Sequence, residues 1–152
     1  MVYRSRPSSG LILTPPSKFI DERTSARMSR IRSKDTLPEM VVRSMVHRLG
    51  YRYVLHDKRL PGCPDLVFPS RRKIIFVHGC FWHGHSCRRG TRPKTNPEFW
   101  AKKIEDNQAR HTRNVRQLRV AGWRVLVVWE CATHPSKSST LKARLTKFLD
   151  AG

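Results

Sequence analysis

Acidic side chains are scarce in this chain: 11 Asp and Glu stand against 31 Lys and Arg, a formal charge of +20 over 152 residues. A surface so unbalanced repels itself and attracts polyanions, which favours nucleic acid as partner over an anionic membrane surface. Long apolar runs are also missing. No stretch approaches the roughly 20 consecutive apolar residues of a membrane span, so no membrane partner is expected. The start, Met1 to Pro16, offers only Leu11-Ile12-Leu13 and no secretory cleavage pattern. Cysteines number four, and two of them sit among histidines, which favours metal over disulfide and a reducing cytoplasm as the setting. No internal repeat is evident. What remains suits one globular domain of ordinary size, acting as a monomer.

Residues 1–23 read as a basic lead in which Pro7, Gly10, Pro15 and Pro16 discourage regular structure. Residues 24–152 read as the single domain, opening with a short helix over Thr24 to Ile31. A stronger helix is predicted from Leu37 to Leu49. Thr36 and Glu39 fit a capping box, Pro38 is tolerable in the first turn, and Gly50 stops the helix. Tyr51–Leu55, Asp65–Phe68 and Lys73–Val77 are strand-like, separated by Leu60-Pro61-Gly62 and by Pro69 with Arg71-Arg72.

A long helix is predicted over Glu98–Val120. Ile104, His111 and Leu118 recur at seven, with Val115 beside them, and Arg110, Arg113, Arg116 and Arg119 form a basic stripe next to that face. Gly122 ends it, Arg124–Trp129 is a buried strand, and Ser138 caps a final helix with Leu141, Leu145, Phe148 and Leu149 inward. The pattern predicts an α/β domain: a short central mixed sheet flanked by helices in three layers.

Chemistry concentrates in Val77–Cys87, where three histidines, two cysteines and two aromatics occupy eleven residues. Cys80-x4-His85-x-Cys87 supplies three soft ligands, and Cys131, at the end of the last strand, can supply the fourth if that strand lies beside the third. A closed Cys3His set is typical of structural zinc, which would clamp a Gly-rich loop unable to bury enough apolar surface for itself. By spacing alone His83 could replace His85. Cys63 is remote from this group in the chain and reads as incidental. Asp65 opens one strand where the neighbouring strand ends at His78. A carboxylate that can hold Mg²⁺ would thus meet imidazoles able to exchange protons near neutral pH, the equipment of phosphodiester hydrolysis.

Pro64-Asp65, Phe76 to Cys87, Glu98-Phe99-Trp100, Gly122 to Leu126 and Trp129-Glu130-Cys131 together resemble the very short patch repair (Vsr) DNA mismatch endonucleases. The likeness runs in order over roughly residues 24–131, and His78-Gly79-Cys80-Phe81-Trp82-His83 is its most specific string. The resemblance implies a restriction-endonuclease-like fold with structural zinc at one edge. It also implies Mg²⁺-dependent nicking on the 5′ side of the T in T·G mismatches, which arise by deamination of 5-methylcytosine. Asp65 and the backbone carbonyl of Val77 match the Mg²⁺ ligands, and His83 matches the general base. His78 matches a histidine beside the scissile phosphate, and Glu39 a carboxylate linked to the metal through water. Cys80, His85, Cys87 and Cys131 match the zinc ligands. At His111 the family has an acidic residue that supports the base.

Phe81, Trp82 and Trp100 match residues that wedge into the duplex beside the mismatch, with Met28 approaching from the opposite groove. Wedges unstack a base step at lower cost where pairing is already defective. Arg27, Arg30, Arg88, Arg89, Lys102 and Lys103 are the expected phosphate contacts. Two other readings share this architecture: a mismatch-binding protein that no longer cuts, favoured by His111, and a restriction-type nuclease acting on matched DNA.

Overall fold

The computed structural model describes residues 34–152. The basic lead, the short helix expected at 24–31, and with them Arg27, Met28 and Arg30 lie outside the described residues.

Helix α1 spans Leu37–Arg48. The Glu39 N–H donates to Thr36 Oγ1 at 3.4 Å, with Pro38 in the first turn. The reciprocal half of the expected capping box is displaced by one residue: the Glu39 carboxylate takes the Asp35 N–H (2.9 Å) rather than that of Thr36. Gly50, at φ +93°, reverses the chain, and the Tyr51 N–H returns to the Val46 carbonyl at 3.3 Å.

Of the strand expected over Tyr51–Leu55, only β1, Val54–Leu55, enters a ladder. Then follow β2 (Leu66–Phe68), β3 (Lys73–His78, one residue longer than expected), helix α2 (Pro97–Val120), β4 (Arg124–Trp129) and helix α3 (Ser138–Asp150). The sheet order is β1-β2-β3-β4, with the first two pairings antiparallel and β3–β4 parallel. A parallel neighbour requires a crossover, and α2 provides it.

Strand alternation sorts the core into two faces. Leu66, Phe68, Ile75 and Val128 pack with Val42 and Val46 of α1 and with Leu141, Leu145 and Leu149 of α3. Val67, Ile74 and Phe76 meet Val115 and Leu118 of α2 on the opposite side. The molecule is therefore three-layered, α1 and α3 on one face of a mixed sheet and α2 on the other, as in restriction-endonuclease-like domains.

Ser138 does not cap α3. Lys137 occupies that position without a side-chain bond, because a 3-10 turn, Pro135–Lys137, runs straight into the helix and the Pro135 carbonyl takes the Ser138 N–H. At the far end of α3, Lys73 enters the sheet buried and donates through Nζ to the carbonyls of Leu149 (2.9 Å) and Ala151, while Arg71 donates to Leu149 (2.9 Å). Cations at the orphan carbonyls of a helix C-terminus are well placed.

Candidate active site and metal centre

Two walls enclose the site. The first starts from the alternation of β3, which turns His78 toward α2 on the same face as Ile74 and Phe76. The following loop is turned by its own bonds, the His85 N–H to the Cys80 carbonyl (2.9 Å) and the Gly84 N–H to the Phe81 carbonyl (3.3 Å), and lies against α2. Gly84 must be glycine. Its φ is +62°, and a Cβ there would meet Ile104 Cγ2 at 2.8 Å. Two amides of α2 fasten the loop: Asn107 Nδ2 donates to the Trp82 carbonyl (3.0 Å) and Gln108 Nε2 to the His83 carbonyl (2.9 Å).

This fold-back lays the His83 ring flat on His78, centroids 3.7 Å apart and planes within 4°. His111 of α2 meets His78 edge-on at 4.2 Å and lies 6.0 Å from His83, with Phe76 beneath it at 5.2 Å. Burial holds all three imidazoles below their ordinary range, His78 down to about 2 and His83 to about 4; His83 and His111 add to the effect on His78, His111 and Arg110 to that on His83, and Arg119 to that on His111. They are neutral near pH 7, so each has a free lone pair for a proton or a hydrogen bond.

The second wall is Asp65, immediately before β2. Its Oδ2 accepts the Val77 N–H at 2.7 Å. Burial raises the carboxyl to about 6 despite that bond, with the nearby Glu39 charge adding to the effect and His56 opposing it. Asp65, His78, His83 and His111 line one cavity of about 340 Å³, together with Lys34, His56, Cys63, Asn107, Arg110 and Asn114. A desolvated carboxylate with no nearby cation strong enough to lower it is a fitting seat for Mg²⁺, as is the adjoining carbonyl edge of β3.

Glu39 is the carboxylate that the resemblance links to the metal through water. It is 1% exposed, and both its oxygens are engaged: Oε2 by the Asp35 N–H and Oε1 by His56 Nε2 at 2.5 Å, with Arg43 at 3.9 Å. Asp35, Glu39 and His56 therefore form a satisfied network beside Asp65.

The sulfur cluster lies at the carboxyl ends of β3 and β4, where Val77 pairs with Val128 and His78 with Trp129. Parallel pairing brings Cys131 next to Cys80, and ligand atoms of Cys80, His85, Cys87 and Cys131 all fall within 4.8 Å of one another. Zinc–sulfur bonds of about 2.3 Å imply neighbouring ligands roughly 3.8 Å apart, so a tetrahedral ion fits with a slight contraction. Cys131 Sγ is 3.6 Å from His85 Nδ1, and the His85 ring stacks on Trp129 at 4.3 Å. Burial pushes the Cys80 thiol up to about 12 while a hydrogen bond with His85 draws Cys87 down to about 6. A bound Zn²⁺ is what would hold both as thiolates. His83, left open as a ligand by spacing, belongs to the imidazole stack instead. Gly90 closes the loop so tightly that a Cβ would sit 1.8 Å from the His85 carbonyl oxygen.

The aromatic residues form one cluster, Phe81 against Trp82 (5.1 Å) and Trp100 (5.2 Å), with Phe99 edge-on to Trp100 (5.0 Å). Phe81 and Trp82 are half-buried, whereas Trp100 is only 6% exposed in the free protein. Arg88 and Lys103 are exposed and reach no carboxylate among the described residues. Arg89 pairs with Glu130 at 3.3 Å, and Lys102 with Asp106 at 3.4 Å.

The sequence model of the DNA mismatch endonuclease Vsr family matches residues 17–89. The chain is 54% identical over 129 residues to the type II nicking enzyme V.XorIIP of Xanthomonas oryzae pv. oryzae, covering 85% of this chain and 93% of that protein. It is 41% identical over 126 residues to the DNA mismatch endonuclease Vsr of Escherichia coli K12, covering 83% and 80%. Identity to V.NmeAIP, a type II nicking enzyme of Neisseria meningitidis serogroup A, is 44% over 113 residues, covering 74% and 81%. The chain belongs to the Vsr family. It is accordingly a nuclease, with a clustered Cys/His metal site at the edge of its sheet.

Within this Vsr-family centre, sequence reasoning missed His56, Asn107 and Gln108, and it set Cys63 aside. Cys63 lines the cavity at φ +47°, in the Gly62-Cys63-Pro64 turn that delivers Asp65. Its place two residues before Asp65 was the available signal. His56, also at positive φ (+46°), reaches Glu39 only through the β1–β2 pairing, and no motif marks it.

Proposed function

We propose that the chain is an Mg²⁺-dependent endonuclease that nicks double-stranded DNA on the 5′ side of the T in T·G mismatches, the lesions left by deamination of 5-methylcytosine. The observation that carries this reading is the convergence of one buried carboxylate and three neutral imidazoles in a single cavity beside the aromatic loop. Asp65 and the Val77 carbonyl would hold Mg²⁺, which when bound neutralises charge on the phosphate under attack. His83, kept neutral by burial, takes a proton from water as it attacks.

His78, stacked beneath His83, fixes the plane of that ring and presents its own edge to the phosphate. His111 stands where the family carries an acid. It orients the other two rings through its edge-on contacts but brings no negative charge to favour a protonated His83. Glu39 acts from α1 through the network it shares with His56. Cys80, His85, Cys87 and Cys131 would hold a structural Zn²⁺ that clamps the catalytic loop to β4.

Phe81 and Trp82 are the wedge, half-exposed on that loop, with Met28 approaching the duplex from the opposite groove. Trp100 supports them and must rotate outward to enter a duplex itself. Arg27, Arg30, Arg88, Arg89, Lys102 and Lys103 would bind phosphates.

Labelled duplexes carrying T·G, T·A or C·G at one position, incubated with Mg²⁺ or with EDTA, test the reading. Nicking of the T·G strand alone, and only with Mg²⁺, is expected. Tight binding without a cut would replace it with the non-cleaving reading that His111 favours, and cutting of both strands in matched DNA with the restriction-type reading.

A further inference from the structure

The cavity described above has an uneven charge inventory. Its titratable lining is four imidazoles, His56, His78, His83 and His111, and one carboxyl, Asp65. Attack on a phosphodiester builds negative charge on the non-bridging oxygens, and fixed cations aimed at them are the usual source of stabilisation. Among the described residues, the permanently charged cationic side chains that line this cavity are Lys34 and Arg110.

Arg110 belongs to α2, beside His111 and one turn beyond Asn107, so it shares the helix edge that carries the imidazole. It is exposed and engages no carboxylate among the described residues, unlike Arg89 or Lys102, so its charge is available to a ligand. It lines the same cavity as His83 and Asp65. Asn107 uses its two amide ends differently. Nδ2 donates to the Trp82 carbonyl at 3.0 Å, and Oδ1 accepts from Arg110 Nη1 at 3.4 Å. One side chain thus joins the aromatic loop to the guanidinium.

We propose that Arg110 is a further catalytic residue, its guanidinium holding the non-bridging oxygens of the scissile phosphate, and that Asn107 positions it and couples it to the Trp82 loop. The proposal rests on the mismatch-nicking reading given above. A planar guanidinium suits two phosphate oxygens at once, which a lysine cannot reproduce in full. Movement of the loop as Trp82 enters a defective base step would pull on Asn107 and bring the guanidinium to its working position. Mismatch engagement and chemistry would then share one mechanical connection.

The test is single-turnover nicking of a T·G duplex at saturating protein, with the dissociation constant measured separately in Ca²⁺. Arg110→Ala should slow nicking on the order of 100-fold, as loss of one preorganised charge-stabilising donor does, while binding weakens less than about threefold, one lost phosphate contact among many. Arg110→Lys should recover part of the rate, and added guanidinium ion should partly rescue Arg110→Ala. Arg113→Ala, one helical step further on the exposed stripe, should nick like the wild type. Asn107→Ala should slow nicking by a clearly smaller factor in the Arg110→Ala background than in the wild type, a non-additivity that an amide acting only by fastening the loop would not give.

Nicking by Arg110→Ala within threefold of the wild type, or a loss explained wholly by binding, overturns the proposal and leaves the mismatch-nicking reading intact. A wild-type chain that nicks no T·G duplex overturns both.

Discussion

Asp65 concentrates the conflict between stability and chemistry at the scale of one residue. Its folded carboxyl lies near 6, above the unfolded value of 3.8, so the protein holds the proton more tightly than the unfolded chain does. Below pH 3.8 both states are protonated and no penalty exists. As pH rises through 6 the desolvated charge must be carried, and stability falls. Asp65→Asn keeps an acceptor for the Val77 N–H and removes that charge. In magnesium-free buffer the variant should therefore gain about 3 kcal/mol at pH 7.5 and less than about 1 kcal/mol at pH 4, by thermal denaturation. It should also lose nicking while keeping duplex affinity. A destabilised variant at pH 7.5 would show that the burial of Asp65 carries no strain.

Gly90 presents the opposite case, a residue with no chemistry that decides whether the loop closes. With 1.8 Å available between a Cβ and the His85 carbonyl, Gly90→Ala has no relaxed solution. We expect a loss of roughly 3 kcal/mol or more and a zinc content, read by atomic absorption, well below one per chain.

Among elements, α1 and α2 divide the labour. Thr36 caps the helix that carries Glu39, so Thr36→Ala should cost about 1 kcal/mol in denaturant unfolding with little effect on zinc. Leu118, fully buried where α2 meets β2 and β3, should cost about 2–5 kcal/mol as Leu118→Ala. The alternation of apolar residues made these elements readable from sequence. Strand period two put Ile74, Phe76 and His78 on one face, and the seven-residue recurrence of Ile104, His111 and Leu118 pointed His111 at them. The Cys80, His85, Cys87 and Cys131 cluster was readable from ligand spacing once β3 and β4 are neighbours.

Sequence failed where geometry is set by backbone turns or by competition for partners. His56 and Cys63 reach the site through positive-φ turns that carry no periodic signal. Ser138 lost its capping role to a preceding 3-10 turn whose carbonyls were already in place. Local spacing could not tell that Asp35 and His56 would bond to Glu39.

For the molecule as a whole, the excess of basic charge separates how tightly DNA is held from how fast it is cut. Affinity for any duplex should fall at least ~100-fold between about 50 and 200 mM salt, measured by fluorescence anisotropy. The nicking rate at saturation, set inside a partly closed cavity, should change little over the same range. A rate that tracked affinity would place the decisive contacts at the exposed surface.

The reach from His78 to Cys87 has a consequence for how this protein can change over time. Along those ten residues, side chains destined for the cavity and side chains destined for the sulfur cluster are interleaved: His78, then Cys80, then His83, then His85 and Cys87. A single inserted or deleted residue between Cys80 and His85 would rotate an imidazole out of one centre and a ligand out of the other in the same stroke. Substitutions here can be sampled one at a time, but length cannot, and lineages of this enzyme should diversify in every loop before this one.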